Sequence, residues 1–215
     1  MVGMVEPLLA MVLVADLLLL GLRRIDTCIR VLAVQGIALG LLPLALHGTE
    51  AAGVRLIATA MLGIVVKGAL VPFLLLRARQ QAGIPRENEP FLSTSASMLL
   101  GVLTLVVAVA IAPGLPLPPA AGSSLLVPVA LTTMAIGVIQ LVTRRLSLTL
   151  VLGYLVLENG IYTLGLILVA ELPLLVELGV LLDLVVAVFA MGIATFAIKQ
   201  TFDHIDAHRL DELRG

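Results

Sequence analysis

Between Pro90 and Thr143 the chain reads PFLSTSASMLLGVLTLVVAVAIAPGLPLPPAAGSSLLVPVALTTMAIGVIQLVT, without one charged residue. A helix crossing a bilayer takes about 20 apolar residues, so this run is too long for one span. Pro-Gly-Leu-Pro-Leu-Pro-Pro at 113–119 divides it in two, because proline ends a helix. Working outward, apolar runs of spanning length recur at roughly 7–22, 28–46, 54–76, 96–112, 125–142, 147–169 and 174–198. The fold expected is an all-α polytopic membrane protein of about seven transmembrane helices.

Composition points the same way. Hydrophobic residues make up 60% and charged residues 13% of the chain, and mean hydropathy is +1.18. Soluble domains are about 45–50% apolar and about 25% charged, so a soluble globular protein is excluded. A net charge of −1 excludes a nucleic-acid binder driven by overall basicity. Cys28 is the single cysteine, which excludes internal disulfides, CxxC pairs and cysteine-ligated iron–sulfur clusters. Trp is absent and aromatics are 3%, too few to line a haem, flavin or retinal pocket comfortably. The opening MVGMVEPLLA has Glu6 and no basic residue, so no cleaved signal peptide is expected.

The loops give an orientation. Arg23, Arg24, Arg30, Arg77, Arg79, Arg86, Arg144, Arg145, Lys199, Arg209 and Arg214 fall on one side; Arg55 alone falls on the other, with Glu50, Glu171 and Glu177. This basic bias places the N-terminus outside and the C-terminus in the cytoplasm. The localisation expected is a cytoplasmic membrane, crossed several times. A weak internal repeat accompanies it. Arg23-Arg24 and Arg144-Arg145 each close a span; each is followed by a helix with a mid-depth polar residue, Gln35 or Glu158, then by a helix with one central charge, Lys67 or Asp183. The reading is a parallel three-helix repeat: a unit at 1–95, a linking helix with an external Pro-rich loop at 96–124, a second unit at 125–199 and a cytoplasmic tail at 200–215.

Asp16, Lys67, Glu158 and Asp183 lie well inside spans. A charge there costs about 2.5–3.5 kcal/mol even on the lenient insertion scale, so each is a functional candidate, against a structural role as a neutral carboxyl or ion pair. Glu158 lies eleven residues from each end of 147–169. Tyr154 and Tyr162, at i−4 and i+4, share its helical face and place two hydroxyls near a candidate proton-relay carboxyl. Asp183 continues into a small-residue face of Ala187, Ala190 and Ala194. Lys67 precedes Gly68 and Pro72; the missing N–H predicts a bend one turn past the lysine. An ion pair with Asp16 or with a partner-subunit carboxylate is the structural alternative for Lys67. Asp16, within two turns of the cytoplasmic end, is expected within reach of water. Gly36 and Gly40 read as helix packing. His204 and His208 stand at i, i+4 in the tail, a weak metal pattern against a solvated amphipathic helix.

The stretch Arg144-Arg145…Gly153-Tyr-Leu-Val-Leu-Glu158-Asn159-Gly160, followed by an acidic residue in the next helix, resembles the K subunit of bacterial respiratory complex I and the related C subunit of Mrp-type antiporters. That likeness covers about residues 125–199. The chain as a whole resembles component E of hydrogenase-4 and its homologues in formate hydrogenlyase-type and other energy-converting complexes. The resemblance implies a membrane subunit of a redox-driven proton or sodium pump, with Glu158 and Asp183 in the places of two buried glutamates on its ion path. Asp183 is one methylene shorter than the family's residue, and Glu158 lies about two residues further from the arginine pair. Such a subunit is not catalytic alone and carries no cofactor or metal. Its partners would be antiporter-like and other membrane subunits, a hydrophilic redox arm and the bilayer, with no nucleic acid. A stand-alone secondary transporter and a purely structural assembly subunit are the alternatives.

Overall fold

The computed structural model describes residues 2–47, 53–81, 92–115, 123–144 and 147–168, with Gly192. Among the described residues every regular element is helical. They are α1 (Val5–Gly21), α2 (Ile25–His47), α3 (Val54–Val65), a π-helical turn (Val66–Leu70), α4 (Val71–Gln81), α5 (Thr94–Ile111), α6 (Leu126–Thr143) and α7 (Ser147–Leu168). Among the described residues, five stretches are long and apolar enough to cross a membrane: Ile25–Leu46, Leu56–Gln80, Thr94–Gly114, Leu126–Thr143 and Leu148–Leu166. The 17-residue α1 sits at the short end of the spanning range, about 17–25 residues. The span expected at 174–198 and the tail lie outside the described residues, as do Asp183, Glu171, Glu177, His204 and His208.

Four helices build the centre. α6 and α7 form the closest pair; α1 packs on α2 and α6, and α2 packs on α7. The α3–α4 segment flanks α2, while α5 lies on α1 and α6. Glycine sets the closest approaches. A Cβ on Gly137 of α6 would strike the backbone of Leu157, and one on Gly160 of α7 would lie 2.5 Å from Met134 N. Small residues that let backbones meet are the usual device for helix association in lipid, where the hydrophobic effect does not drive helices together. The outward residues of α5 are apolar, with Leu99, Leu103 and Val106 exposed, as a surface facing lipid requires.

The segment around Lys67 departs from a simple bend. The Val71 N–H reaches the Val66 carbonyl, five residues back, so one wide π turn replaces an α turn. Pro72 has no N–H to offer, and its ring would crowd the carbonyl four residues earlier. Widening the turn just before it lets the span continue to Gln81, and such turns are common at functional sites. At its far end Arg79 Nε lies 2.7 Å from Asp26 Oδ1, tying α4 to the first turn of α2.

Candidate functional site: a buried polar layer

Each of the four central helices carries apolar residues of one cluster, then a polar residue, then apolar residues of a second cluster. In α1 the order is Val12, Asp16, Leu19; in α2 it is Leu32, Gln35, Ala38. In α6 it is Val129, Thr133, Ile136, and in α7 Val156, Glu158–Asn159, Tyr162. A polar layer therefore lies between two apolar ones. The first cluster, with Leu19, Ile29 and Leu148, is on the side of Arg23, Arg24 and Arg144; the second, with Leu9 and Leu39, is on the opposite side.

Lys67 enters this layer from the π turn. Its Nζ donates to Glu158 Oε1 at 2.7 Å and Oε2 at 2.5 Å, and to Asn159 Oδ1 at 3.2 Å. The ammonium also stands 5.7 Å from the centre of the Tyr162 ring, a cation–π distance. Gly36 makes this entry possible, since a Cβ there would lie 2.7 Å from the Lys67 carbonyl carbon and oxygen. Gly40 does the same for Ile64, so the two glycines of α2 receive the Lys67-bearing segment. An ion pair held by two oxygens and an amide is the arrangement in which buried charges are tolerated.

From Asn159 the layer continues to α1. Asn159 Nδ2 donates to Gln35 Oε1 at 3.3 Å, and Gln35 Nε2 donates to Asp16 Oδ1 at 2.7 Å. Thr133 Oγ1 lies 2.6 Å from Asp16 Oδ2 and 2.9 Å from the Val129 carbonyl. A hydrogen-bonded chain thus joins Glu158 to Asp16 through Lys67, Asn159 and Gln35. A small cavity of water size opens beside it, lined by Leu32, Gly36, Lys67, Val71, Leu155 and Asn159.

The structure brings together Glu158, Lys67, Tyr162 and Asp16, and revises three expectations. Asp16 is 0% exposed and not within reach of water from the arginine-rich end, because α2 and α6 pack over α1. Lys67 pairs with Glu158 and not with Asp16. Tyr162 offers its ring face to the lysine, while Tyr154 is half-buried against the apolar cluster on the arginine side. Thr133 and Asn159 are site residues that the sequence does not single out by charge, and Gln35 stands out there only as a marker of the repeat. Gln35 and Asn159 had a signal, being buried-span amides level with the charges; Thr133 had none, since threonine in a helix ordinarily bonds its own i−4 carbonyl.

One further cation is buried nearby. Arg144 Nη2 donates to the carbonyls of Leu19 at 3.3 Å and Leu20 at 3.2 Å, capping the last turn of α1, where a positive charge suits the helix dipole. Desolvation by burial lowers its pKa from the usual arginine value, which starts so far above neutrality that the group stays charged.

These features define a helical membrane protein with an internal layer of ionisable and amide side chains. The chain belongs to the family of the uncharacterized protein Rv0085 of Mycobacterium tuberculosis, with which it is 33% identical over 202 residues, 93% of this chain and 91% of that protein. It is also distantly homologous to hydrogenase-4 component E of Escherichia coli K12 and of Shigella flexneri. Identity to each is 29% over 153 residues, 70% of either chain. No family model matches the chain, and no solved structure matches it significantly.

Proposed function

We propose that this protein is a membrane subunit of a hydrogenase-type, ion-translocating complex, and that its buried polar layer is part of the ion path. The observation that carries the reading is the Lys67–Glu158 pair, buried at mid-span and joined by hydrogen bonds to a second carboxyl, Asp16. Intramembrane ionisable groups that pair with one another mark proton relays and ion pathways. In this reading Glu158 takes up and releases a proton, and Lys67 holds the carboxylate form until the proton arrives. Tyr162 keeps the lysine aimed at the carboxyl, and Asp183 supplies the next acid of the path. The apolar clusters above and below restrict water, so a proton entering the layer must pass through these groups. Redox chemistry belongs to a hydrophilic arm on the cytoplasmic face, and antiporter-like subunits stand beside this one. The distant likeness to hydrogenase-4 component E supports this assignment, with H⁺ as the ion the carboxyl–lysine chemistry suits.

The test must respect the pairing. Glu158→Gln alone strands a buried lysine charge, so loss of activity in it would not separate relay from scaffold. The decisive variant is Lys67→Met with Glu158→Gln, which removes both charges and keeps the volumes close. Redox-driven proton transport is measured in vesicles carrying the whole complex, with assembly followed by co-purification. The expected outcome is normal assembly with transport reduced by about a hundredfold or more, the scale of a lost proton-transfer group; Glu158→Asp should retain part of it. A doubly substituted complex that assembles and pumps normally would leave only the scaffold role.

A further inference from the structure

We infer that Asp16 is a second proton-binding site and that the structure holds it in its protonated form, with Thr133 as the partner that reports the proton. Asp16 is wholly buried, and both of its partners are neutral: Gln35 from α2 and Thr133 from α6. From α5, Gly101 meets Leu17 and Leu20 of α1 and presents no charge. Among the described residues, the buried cations Arg144 and Lys67 are held by other partners, Arg144 by the carbonyls of Leu19 and Leu20 and Lys67 by Glu158 and Asn159. Hydrogen bonds connect Lys67 to Asp16 through two intervening amides, Asn159 and Gln35. A carboxylate without a cation at mid-span is the costly form, and protonation removes the cost.

Counting hydrogens fits the protonated form as well. Thr133 has one hydroxyl hydrogen and two oxygens in reach, Asp16 Oδ2 at 2.6 Å and the Val129 carbonyl at 2.9 Å. If that hydrogen goes to Val129, as an i−4 bond within the helix, the contact with Asp16 needs a hydrogen of its own, which only a protonated Asp16 supplies. The acid then donates to Thr133, accepts from Gln35 on its other oxygen, and every short contact carries one hydrogen. Losing the proton turns the Thr133 hydroxyl from Val129 to Asp16. It also places a negative charge at the end of a chain whose N–H groups all point from Lys67 toward Asp16, favouring the lysine's withdrawal from Glu158. The protonation rests on this geometry alone; its use in transport rests on the function proposed above.

Infrared spectroscopy of the full chain in lipid tests the assignment. The wild-type protein should show a carboxylic-acid C=O stretch, sensitive to exchange into heavy water, that disappears in Asp16→Asn. In Thr133→Val the band should persist and move to higher frequency, because the acid has lost its acceptor. A wild-type minus Asp16→Asn spectrum that shows carboxylate bands in place of the acid band would overturn the inference. So would an acid band unmoved in Thr133→Val, which keeps the test intact if Asp16→Asn fails to fold. Transport by the Asp16→Asn complex is read separately. Normal pumping with the acid band lost would take Asp16 out of the ion path while its proton stays assigned.

Discussion

Lys67 and Glu158 are 91 positions apart in the chain and meet at 2.5 Å, so the energetics of the layer turn on a pair and not on either residue. Breaking a buried pair by removing one partner typically costs about 3–5 kcal/mol, whereas replacing both by apolar or neutral groups is often close to neutral. Lys67→Met and Glu158→Gln should therefore each lower unfolding stability in detergent by about 3–5 kcal/mol, with the double variant less damaged than either alone. Additive losses would show that the two charges do not depend on each other. Which residues were costly in a membrane was legible from the sequence, because each stood alone in an apolar run. Which of them touch was not, because helical periodicity fixes a face within one helix and says nothing of the helix opposite it. Tyr162 shows the same limit: its spacing from Glu158 was right, but the ring's use as a seat for the ammonium depended on where α3–α4 brings Lys67.

At the scale of elements, the α6–α7 pair depends on absent side chains. A Cβ at Gly160 would lie 2.5 Å from Met134 N and 3.0 Å from Ala130 O, and backbone atoms of a helix have nowhere to move. Gly160→Val should force the helices apart and lower the unfolding midpoint, with a cost of about 1–3 kcal/mol or more for overpacking. Gly114→Ala, where nothing lies within 4 Å, should leave the midpoint unchanged. A Gly160→Val protein as stable as wild type would mean that α6 and α7 do not meet as closely as described. The helices themselves were legible: the reading of 28–46 became Ile25–His47, and that of 96–112 became Thr94–Ile111, shifts of the size that frayed ends give. The π turn was half legible. Pro72 announces a missing hydrogen bond, but whether the chain kinks or widens depends on what packs against the turn, here Gly36.

For the whole molecule, the arginine-rich ends define one face, and the basic bias predicts that this face is cytoplasmic. Ser123, before α6 on the side away from the arginines, is buried, so labelling is better done at Gly114, which is exposed, and at Ser95, exposed at the start of α5. On a Cys28→Ser background, Gly114→Cys should react with an impermeant thiol reagent in intact cells. Ser95→Cys should react only after the membrane is opened. The opposite pattern would invert the chain and reverse the side from which the polar layer is approached. That the protein is membrane-embedded was legible from composition alone. The two apolar clusters with a polar layer between were not, because that order emerges only when antiparallel helices are set side by side.

The carbonyls of Leu19 and Leu20 wait for Arg144, and Asp16 waits for Thr133, each more than a hundred residues later in the chain. As the protein is made, its first helix must therefore enter the membrane with an uncapped end and an acid lacking one of its partners, and stay so while several further spans emerge. Completion of α6 is the moment at which α1 is secured. Biogenesis of this subunit is in that sense governed from its middle, and an insertion machinery that shelters α1 until then would serve the role that the finished fold gives to Arg144 and Thr133.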